Sequence, residues 1–445
     1  MTMRVLIIGG GMVGLSFGLT IRHALPDAQI TVLEAKPLPT GTPDPLDSRA
    51  SALNLASRSI LSGLGVWADL AQQAGEIRQI HVSNQSRFGS AMIDRSDVQA
   101  DSLGYVVENH HIGRTLKQKA DQVAVHVQTP AEVKALDRQG EHPVVVMADG
   151  ERREADLVVV ADGSQSLLRD QLGISCEWRK TGQCAVVANV SFAGEQQGIA
   201  FERFTAHGPI AVLPLVNARP NQQRFNVVWS MTSDAAKALE HQSDAVFLEA
   251  FQRAFGWRLG RALQVGRRNL WPLDRVLVRE QSRGGFLIAG NAAHGLHPVA
   301  GQGLNLSLRD AATLGATLHS AQVVNSATSL SATHKAIHTA MDGAALMASH
   351  VRSESAHRPL PMASALAAYE RTVARDQTQI VDATDLLSTL FNRRGVLLDL
   401  PRDAALSALD LIKPLRRDIA RRGTGLHALN SHSWHDLFAN AAGHS

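Results

Sequence analysis

The stretch that most restricts what this chain can become is its start, RVLIIGGGMVGLSFGLTIRHAL, Arg4 to Leu25. Arg4 to Ile8 is a short apolar run rich in β-branched residues, Gly9 to Gly14 interrupts it, and Val13 to Leu25 has helical spacing until Pro26. This order predicts strand, tight turn and helix. A second predicted strand, Gln29 to Leu33, ends at Glu34, twenty residues after Gly14. In that setting the G-x-G-x-x-G pattern of Gly9, Gly11 and Gly14 is a dinucleotide fingerprint. Gly9 permits the turn, Gly11 lets a diphosphate approach the backbone, and Gly14 lets the helix pack close to the sheet. The helix N-terminus offers free N–H groups and a positive dipole end to the diphosphate. Glu34 is placed to accept hydrogen bonds from an adenosine ribose, which fits FAD or NAD and disfavours a 2′-phosphate.

The rest of the chain decides between those two. An NAD dehydrogenase continues with further strand-helix repeats, whereas here the next strand-and-glycine signals lie far downstream. Pro143 to Met147 and Asp156 to Ala161 read as a β-hairpin turning at Asp149-Gly150. Its second strand delivers Asp162, Gly163, Ser166 and Arg169. Gly285 to Ala289 reads as a buried strand, Gly290 to Gly303 as a loop, and Leu304 to Leu318 as a helix. Three strand-to-loop sites spread along the chain suit a long ligand touched at several points, and FAD is such a ligand.

These residues also carry a resemblance. The G-x-G-x-x-G start, Asp162-Gly163 with Arg169, and a third motif resemble the aromatic hydroxylases of the para-hydroxybenzoate hydroxylase fold. The third motif there is usually G-D-A-A-H, Pro, G-x-G-x-N and Asp. Here it is Gly290, Asn291, Ala292, Ala293, His294, Pro298, Gly301, Gly303, Asn305 and Asp310. Within that fold, HPVAGQGLNLSLRDA, GYVVENHHIGRTL, FERFTAHGPIAVLPL and LAAYERTVARDQ resemble the FAD-dependent hydroxylases of ubiquinone biosynthesis. The similarity runs from Met3 to about Gly425. Asn291 in place of the motif aspartate is most like the polyprenyl-6-methoxyphenol hydroxylase branch. The amide oxygen can still accept a ribityl hydroxyl's hydrogen bond, while its NH2 adds a donor and the negative charge is lost. His110 stands where members often carry Arg, a departure from the family pattern.

The resemblance implies an α/β fold of the class A flavoprotein monooxygenases. A Rossmann-like FAD-binding domain over 1–67, 101–175 and 271–318 would be interrupted by a discontinuous α+β substrate domain over 68–100 and 176–270. Ile77 to Ser83, Gln183 to Phe192, Pro209 to Leu215 and Phe225 to Ser230 read as strands of the substrate sheet. Residues 319–364 read as a flexible insertion, solvated from Ala321 to Ser364, whose His334, His338, His350 and His357 form no metal spacing. Residues 365–445 read as a C-terminal helical region: Leu366 to Phe391 is one amphipathic helix, and a second begins near Ala404, with Pro414 either kinking it or starting another. Lys413 to Arg422 is strongly basic, which suits an anionic membrane surface, a solvated face or a docking helix.

The resemblance further implies that NADPH or NADH, or another electron donor, reduces FAD, and that the reduced flavin with O2 hydroxylates a polyprenylated phenol. Cofactor contacts fall to Gly9, Gly11, Gly14, Glu34, Arg49, Asp162, Gly163, Arg169, Gly290, Asn291, Ala292, Gly301, Gly303, Leu304 and Asn305. The backbone of 301–305 would face the flavin edge where negative charge develops. Pro298 forms a wall beside the reacting centre, and His297 is either a proton donor or a residue bonded to its own loop. Phe201, Phe204 and Pro214 are assigned to the substrate pocket, with sheet core as their other reading.

Composition excludes some alternatives. A net charge of +3 over 445 residues, with 19% charged and 44% hydrophobic residues, is ordinary globular chemistry and argues against nucleic acid. Cys176 and Cys184 are too few for a zinc site or disulfide framework and fit a reducing cytosol. No apolar run reaches the roughly 18 residues of a spanning helix, so the expected location is cytoplasmic, with peripheral contact at the inner membrane surface. Three other readings share the fold: a prenyl reductase or a hydroxylase of a different phenol, a flavin halogenase, and a non-catalytic FAD- and lipid-binding subunit of a quinone-biosynthesis complex. No tryptophan falls in the W-x-W-x-I-P signature of the halogenases.

Overall fold

A computed structural model describes residues 2–37, 41, 43–85, 89–138, 140, 142–195, 197–295, 301–342, 360–392, 410, 412–426 and 437–438. Its first sheet has six strands in the order Ser282–Arg283, Phe286–Ile288, Leu157–Val160, Arg4–Ile8, Gln29–Leu33 and Val125–Gln128. All but Ser282–Arg283 run parallel. The central strands are apolar at nearly every position because both faces are covered. Val5, Ile7, Leu157 and Val159 pack with helix Met12–Ala24 and the start of helix Gln302–Asp342. Leu6, Ile8, Val158 and Val160 pack with Val145 and Met147 on the other side.

That second layer corrects the expected hairpin. Val144–Met147 does turn at Asp149-Gly150, with Gly150 at φ 90°, but its partner is Arg152–Glu154. Leu157–Val160 belongs instead to the parallel sheet, between Arg4–Ile8 and Phe286–Ile288. The all-apolar sequence of 157–160 suits a strand covered on both faces, while the hairpin strand Arg-Arg-Glu is polar and carries almost no strand signal.

The second sheet has eight strands. Its main path runs Ala262–Val265, Gln183–Ala193, Gln222–Thr232, Gly208–Arg219, Ile199–Thr205, Gln79–Asn84, Ser90–Asp94, with Asn269–Pro272 paired to Gln183–Ala193. The predicted run Ile77 to Ser83 is divided: Ala74–Ile77 joins a three-stranded sheet with Gly104–Glu108 and Ala50–Leu53, and Gln79–Asn84 joins the large one. One face of the large sheet lies under helices Ser233–Glu240 and Asp244–Phe255, where Phe192, Phe225, Trp229, Phe247 and Phe251 are buried together. The opposite face meets the three-stranded sheet. A Cβ on Gly75 would lie 2.2 Å from the Pro214 carbonyl oxygen, so glycine sets that approach.

The helix predicted over Leu304 to Leu318 starts at Gln302 and continues to Asp342, so residues 321–342 are helical where a solvated insertion was expected. Residues 343–359, with His350 and His357, lie outside the described residues. Met362–Asn392 is the expected amphipathic helix, with Ala365, Leu366, Tyr369 and Val373 buried. Pro414 starts a helix, Lys413–Gly423, and does not kink one, as its lack of an N–H favours in a first turn. Ala404 lies outside the described residues. Among the described residues no helix is long and apolar enough to cross a membrane.

Candidate functional site

Four neighbouring strands of the parallel sheet end side by side. Phe286–Ile288 leads to Gly290, Leu157–Val160 to Asp162, Arg4–Ile8 to Gly9, and Gln29–Leu33 to Glu34. Three inter-strand spacings separate the first from the last, about 14 Å. Segments more than 250 residues apart in sequence therefore form one continuous edge.

The glycines along it divide into two kinds. Gly9 has φ 108°, and a Cβ there would lie 2.4 Å from the Ala161 carbonyl oxygen; a Cβ on Gly14 would lie 1.9 Å from the Gly9 carbonyl oxygen. These two are tight because backbone meets backbone. Gly11 and Gly303, by contrast, have nothing within 4 Å of the same construction, so they border open space. Gly11 is also the N-cap of helix Met12–Ala24 and caps it with no side chain, and no acid occupies the first turn. The N–H groups of that turn thus face a cradle with room for a diphosphate. Glu34 accepts from the Gly10 N–H at 2.6 Å and from the Lys36 N–H at 3.1 Å. A carboxylate has about four acceptor positions, so capacity remains for a ribose.

Asp162 is exposed, yet loss of solvation raises its carboxyl above the ordinary range, opposed by Ser166 and Arg169. Arg169 is 3% exposed and donates to the Ala292 carbonyl at 3.1 Å and to Asp170 at 3.1 Å. Its side chain is buried, so it ties the second motif to the third and leaves the cleft to Asp162 and Gly163.

In the third motif Gly290 has φ 61°, and a Cβ there would lie 2.8 Å from a methyl of Val13, in the first turn of the first helix. Asn291 is exposed at this junction and Ala292 is buried. His294 is fully buried and bonds Asp310 through Nε2 at 2.6 Å. Asp310 also accepts from Gln377 at 3.1 Å, which fastens the Met362–Asn392 helix to the motif. Asn305 departs from its expected role as a contact to the cofactor. Its Oδ1 accepts from the Asn54 N–H at 3.0 Å and the Ser57 hydroxyl at 2.6 Å, and its Nδ2 donates to the Ala52 and Gly301 carbonyls, each at 2.8 Å. The amide is fully used, so Asn305 acts by holding the Gly301 backbone. Gly301 itself has φ 60° and would place a Cβ 3.1 Å from that of Ala52. Leu304 is half-buried against the main core. Pro298 and His297 lie outside the described residues.

Around the rim, Arg49 lies over Trp271, 4.9 Å from the ring centroid. Glu108 is paired with Arg224 at 3.2 Å, both largely buried. His110 bonds Ser48 at 3.1 Å and lies against His111, ring centroids 4.0 Å apart and planes tilted by 38°. Burial first, then neighbouring positive groups, lowers both imidazoles. The ligand atoms of Glu108, His110 and His111 lie within 4.8 Å of one another, a grouping that chain spacing did not suggest. A guanidinium on the carboxylate makes it a poor cation site.

Of the three expected pocket residues, only Phe204 lies on the face turned toward the Ala50–Leu53 and Gly104–Glu108 strands. Phe201 is buried with Phe255 on the helix-covered face, and Pro214 pairs with Phe225 and shares that face. These two assignments are therefore corrected: alternation along the strand turns them away.

The cradle fits FAD. Residues 2–341 match the family model described as FAD binding domain. The chain is 30% identical over 311 residues to the 3-demethoxyubiquinol 3-hydroxylase of Escherichia coli, covering 69% of this chain and 77% of that one. It is 28% identical over 425 residues to the ubiquinone hydroxylase UbiL of Rhodospirillum rubrum, covering 95% and 89%. The p-nitrophenol 4-monooxygenase of Pseudomonas putida superposes with a TM-score of 0.68 at 18% identity, over 94% of this chain and 96% of that one. The chain belongs to the FAD-binding-domain family and, within it, to the FAD-dependent hydroxylases of ubiquinone biosynthesis; it is an FAD-dependent monooxygenase of the class A fold.

Proposed function

We propose that this enzyme takes electrons from NADPH or NADH and inserts one oxygen atom of O2 into the ring of a polyprenylated phenol on the route to ubiquinone. The observation that supports this most is the layout of the site. A dinucleotide-length edge, from Glu34 through Gly9–Gly14 and Asp162 to Gly290, leads toward Gly301, which borders Ala52 beneath the inner face of the large sheet, and Gly303, which borders open space.

When bound, FAD supplies the redox chemistry and the activated oxygen. The protein contributes position and environment. Asn305 fixes the Gly301 turn, whose backbone N–H groups lead into a helix N-terminus and can meet negative charge as it develops. Gly303, with open space at its α-carbon, allows a flat ring to lie against the chain. The inner face of the large sheet closes the reacting region from water, which protects the activated oxygen from loss.

The C-terminal helix suits peripheral contact with the membrane in which such a substrate dissolves. Ile412, Leu415 and Ile419 are 49%, 42% and 40% exposed and form one stripe at helical spacing, alongside exposed Lys413, Arg417 and Arg421. The same surface would allow association with other enzymes of the pathway.

Purified protein should carry flavin, oxidise NADPH or NADH faster in the presence of a prenylated phenol, and return a product heavier by one oxygen. A deletion strain should accumulate a quinone precursor identifiable by mass. Unchanged quinone and precursors in that strain would sink the reading.

A further inference from the structure

A single row of residues crosses the inner face of the large sheet. The strand registers align Val82, Glu202, Ala211, Val228 and Val187 directly opposite one another, with Asn269 beyond Val187. These positions are partly accessible, whereas most of their neighbours along each strand are buried. The row spans about 24 Å at the usual strand spacing. From Val82 to Val187 it is apolar and small except for one carboxylate, and the amide of Asn269 closes its far end.

The row faces the site. Ala200 and Leu213, on the same face as Glu202, pack with Val106 and Ala50. Ala52 follows Ala50 on that face and is the residue a Cβ on Gly301 would touch. At the far end Trp271, two residues from Asn269, lies under Arg49. Among the described residues Glu202 has no hydrogen-bond or ion-pair partner. The charged pair on the same face, Arg224 with Glu108, is already neutralised. His81, Arg203 and Arg258 lie toward the opposite face, where Arg203 bonds the Ala254 carbonyl. An unpaired carboxylate on an apolar surface is costly unless something is recognised there.

We propose that Glu202 is the catalytic carboxylate that accepts the hydroxyl of the substrate phenol, the ring lying along the row between Ala211 and the Gly301 turn. This rests on the hydroxylase reading above and names the group that recognises the ring. Glu202 takes the phenol proton: the O–H bond breaks, its electron pair stays on oxygen, and electron density rises at the ortho and para carbons. The monooxygenase reaction supplies the oxygen atom to one of those carbons. That carbon then loses its hydrogen to water as a proton, and Glu202 returns its own proton to the phenol oxygen.

Burial alone raises the Glu202 carboxyl to about 7. Against a phenol near 10, this reduces the mismatch in proton affinity from about half a million-fold to about a thousandfold.

The test compares Glu202→Gln and Glu202→Leu with the parent holoenzyme, using 2-geranylphenol and its O-methyl ether as probes and flavin content as the control for folding. Flavin fluorescence on the oxidised enzyme should show the phenol binding about tenfold more tightly than the ether. Glu202→Leu should reduce that preference to about twofold or less. Glu202→Gln should lose about a hundredfold in kcat on the phenol and lose the rise of rate through pH 7. An unchanged phenol-to-ether preference in Glu202→Leu overturns the inference. Retention of both preference and rate profile in Glu202→Gln does the same. Failure of the parent enzyme to hydroxylate either probe counts against the proposed substrate, while the binding comparison still judges Glu202.

Discussion

The two sheets of this molecule carry their information differently. Along the edge of the parallel sheet, function sits in backbone: Gly9, Gly11, Gly14 and Gly290 matter for what their missing side chains allow, since an added Cβ would lie 1.9 to 2.8 Å from neighbouring atoms at Gly9, Gly14 and Gly290 and in open space at Gly11. On the large sheet function sits in side chains sorted by alternation, so a shift of one residue exchanges pocket for core. The first region leaves a spaced pattern in the sequence. The second leaves almost none.

The largest effect expected from breaking this contrast is at Gly14. Gly14→Val forces a side chain into the Gly9 carbonyl and should cost more than about 4 kcal/mol, yielding protein without visible flavin absorbance. Flavin-loaded, soluble Gly14→Val would show that the tight turn is dispensable. Next is Asn305→Leu, which strands the Asn54 N–H, the Ser57 hydroxyl and two carbonyls. Loss of about 4 kcal/mol by urea unfolding, with weaker flavin retention, is expected.

The sheet-side comparison is sharper in kind and smaller in size. Phe201→Ala should lower stability by about 3 kcal/mol and leave KM for a prenylated phenol within about twofold. Ala211→Trp should leave flavin content intact and raise that KM by about tenfold, since it fills the row; equal KM effects at both positions would erase the difference between the faces.

The smallest effect concerns acid. Burial lowers His110 and His111, so the unfolded chain binds protons more readily than the folded one as pH falls through about 6.5. Stability from keeping them neutral is present above that pH and is lost below it. The double substitution His110→Gln with His111→Gln should flatten the fall in melting temperature between about pH 6.5 and 5; an identical slope would place the acid sensitivity elsewhere.

The contrast also explains which features the sequence revealed. The first strand, turn and helix were legible because their residues are local and their period is clear. The hairpin partner of Val144–Met147 was not: Arg152–Glu154 is too polar to announce itself, and the apolar Leu157–Val160 was the more strand-like candidate. In FERFTAHGPIAVLPL the aromatic residues drew the pocket assignment, although Phe201 faces the helices. Glu202 beside it is a carboxylate between two phenylalanines, but with Arg203 next to it F-E-R-F gives no parity by itself. Asn305 could be linked to the Gly301 loop from its motif, and only packing against Asn54 and Ser57 shows how its amide is used.

The strand order of the parallel sheet has a further consequence, for how the protein is made. Arg4–Ile8 leaves the ribosome first, its neighbour Leu157–Val160 follows much later, and Phe286–Ile288 and the Gly301 turn come near the end of the sheet's chain. At about 5 to 20 residues per second, the nucleotide edge stays incomplete for roughly 15 to 60 seconds. Through that interval the Gly11 cradle lacks one wall, and the large sheet between is synthesised as an excursion from an unfinished one. Cofactor capture is therefore a late event in the life of each molecule. A cell short of flavin would meet chains already holding their substrate sheet and waiting to close the other.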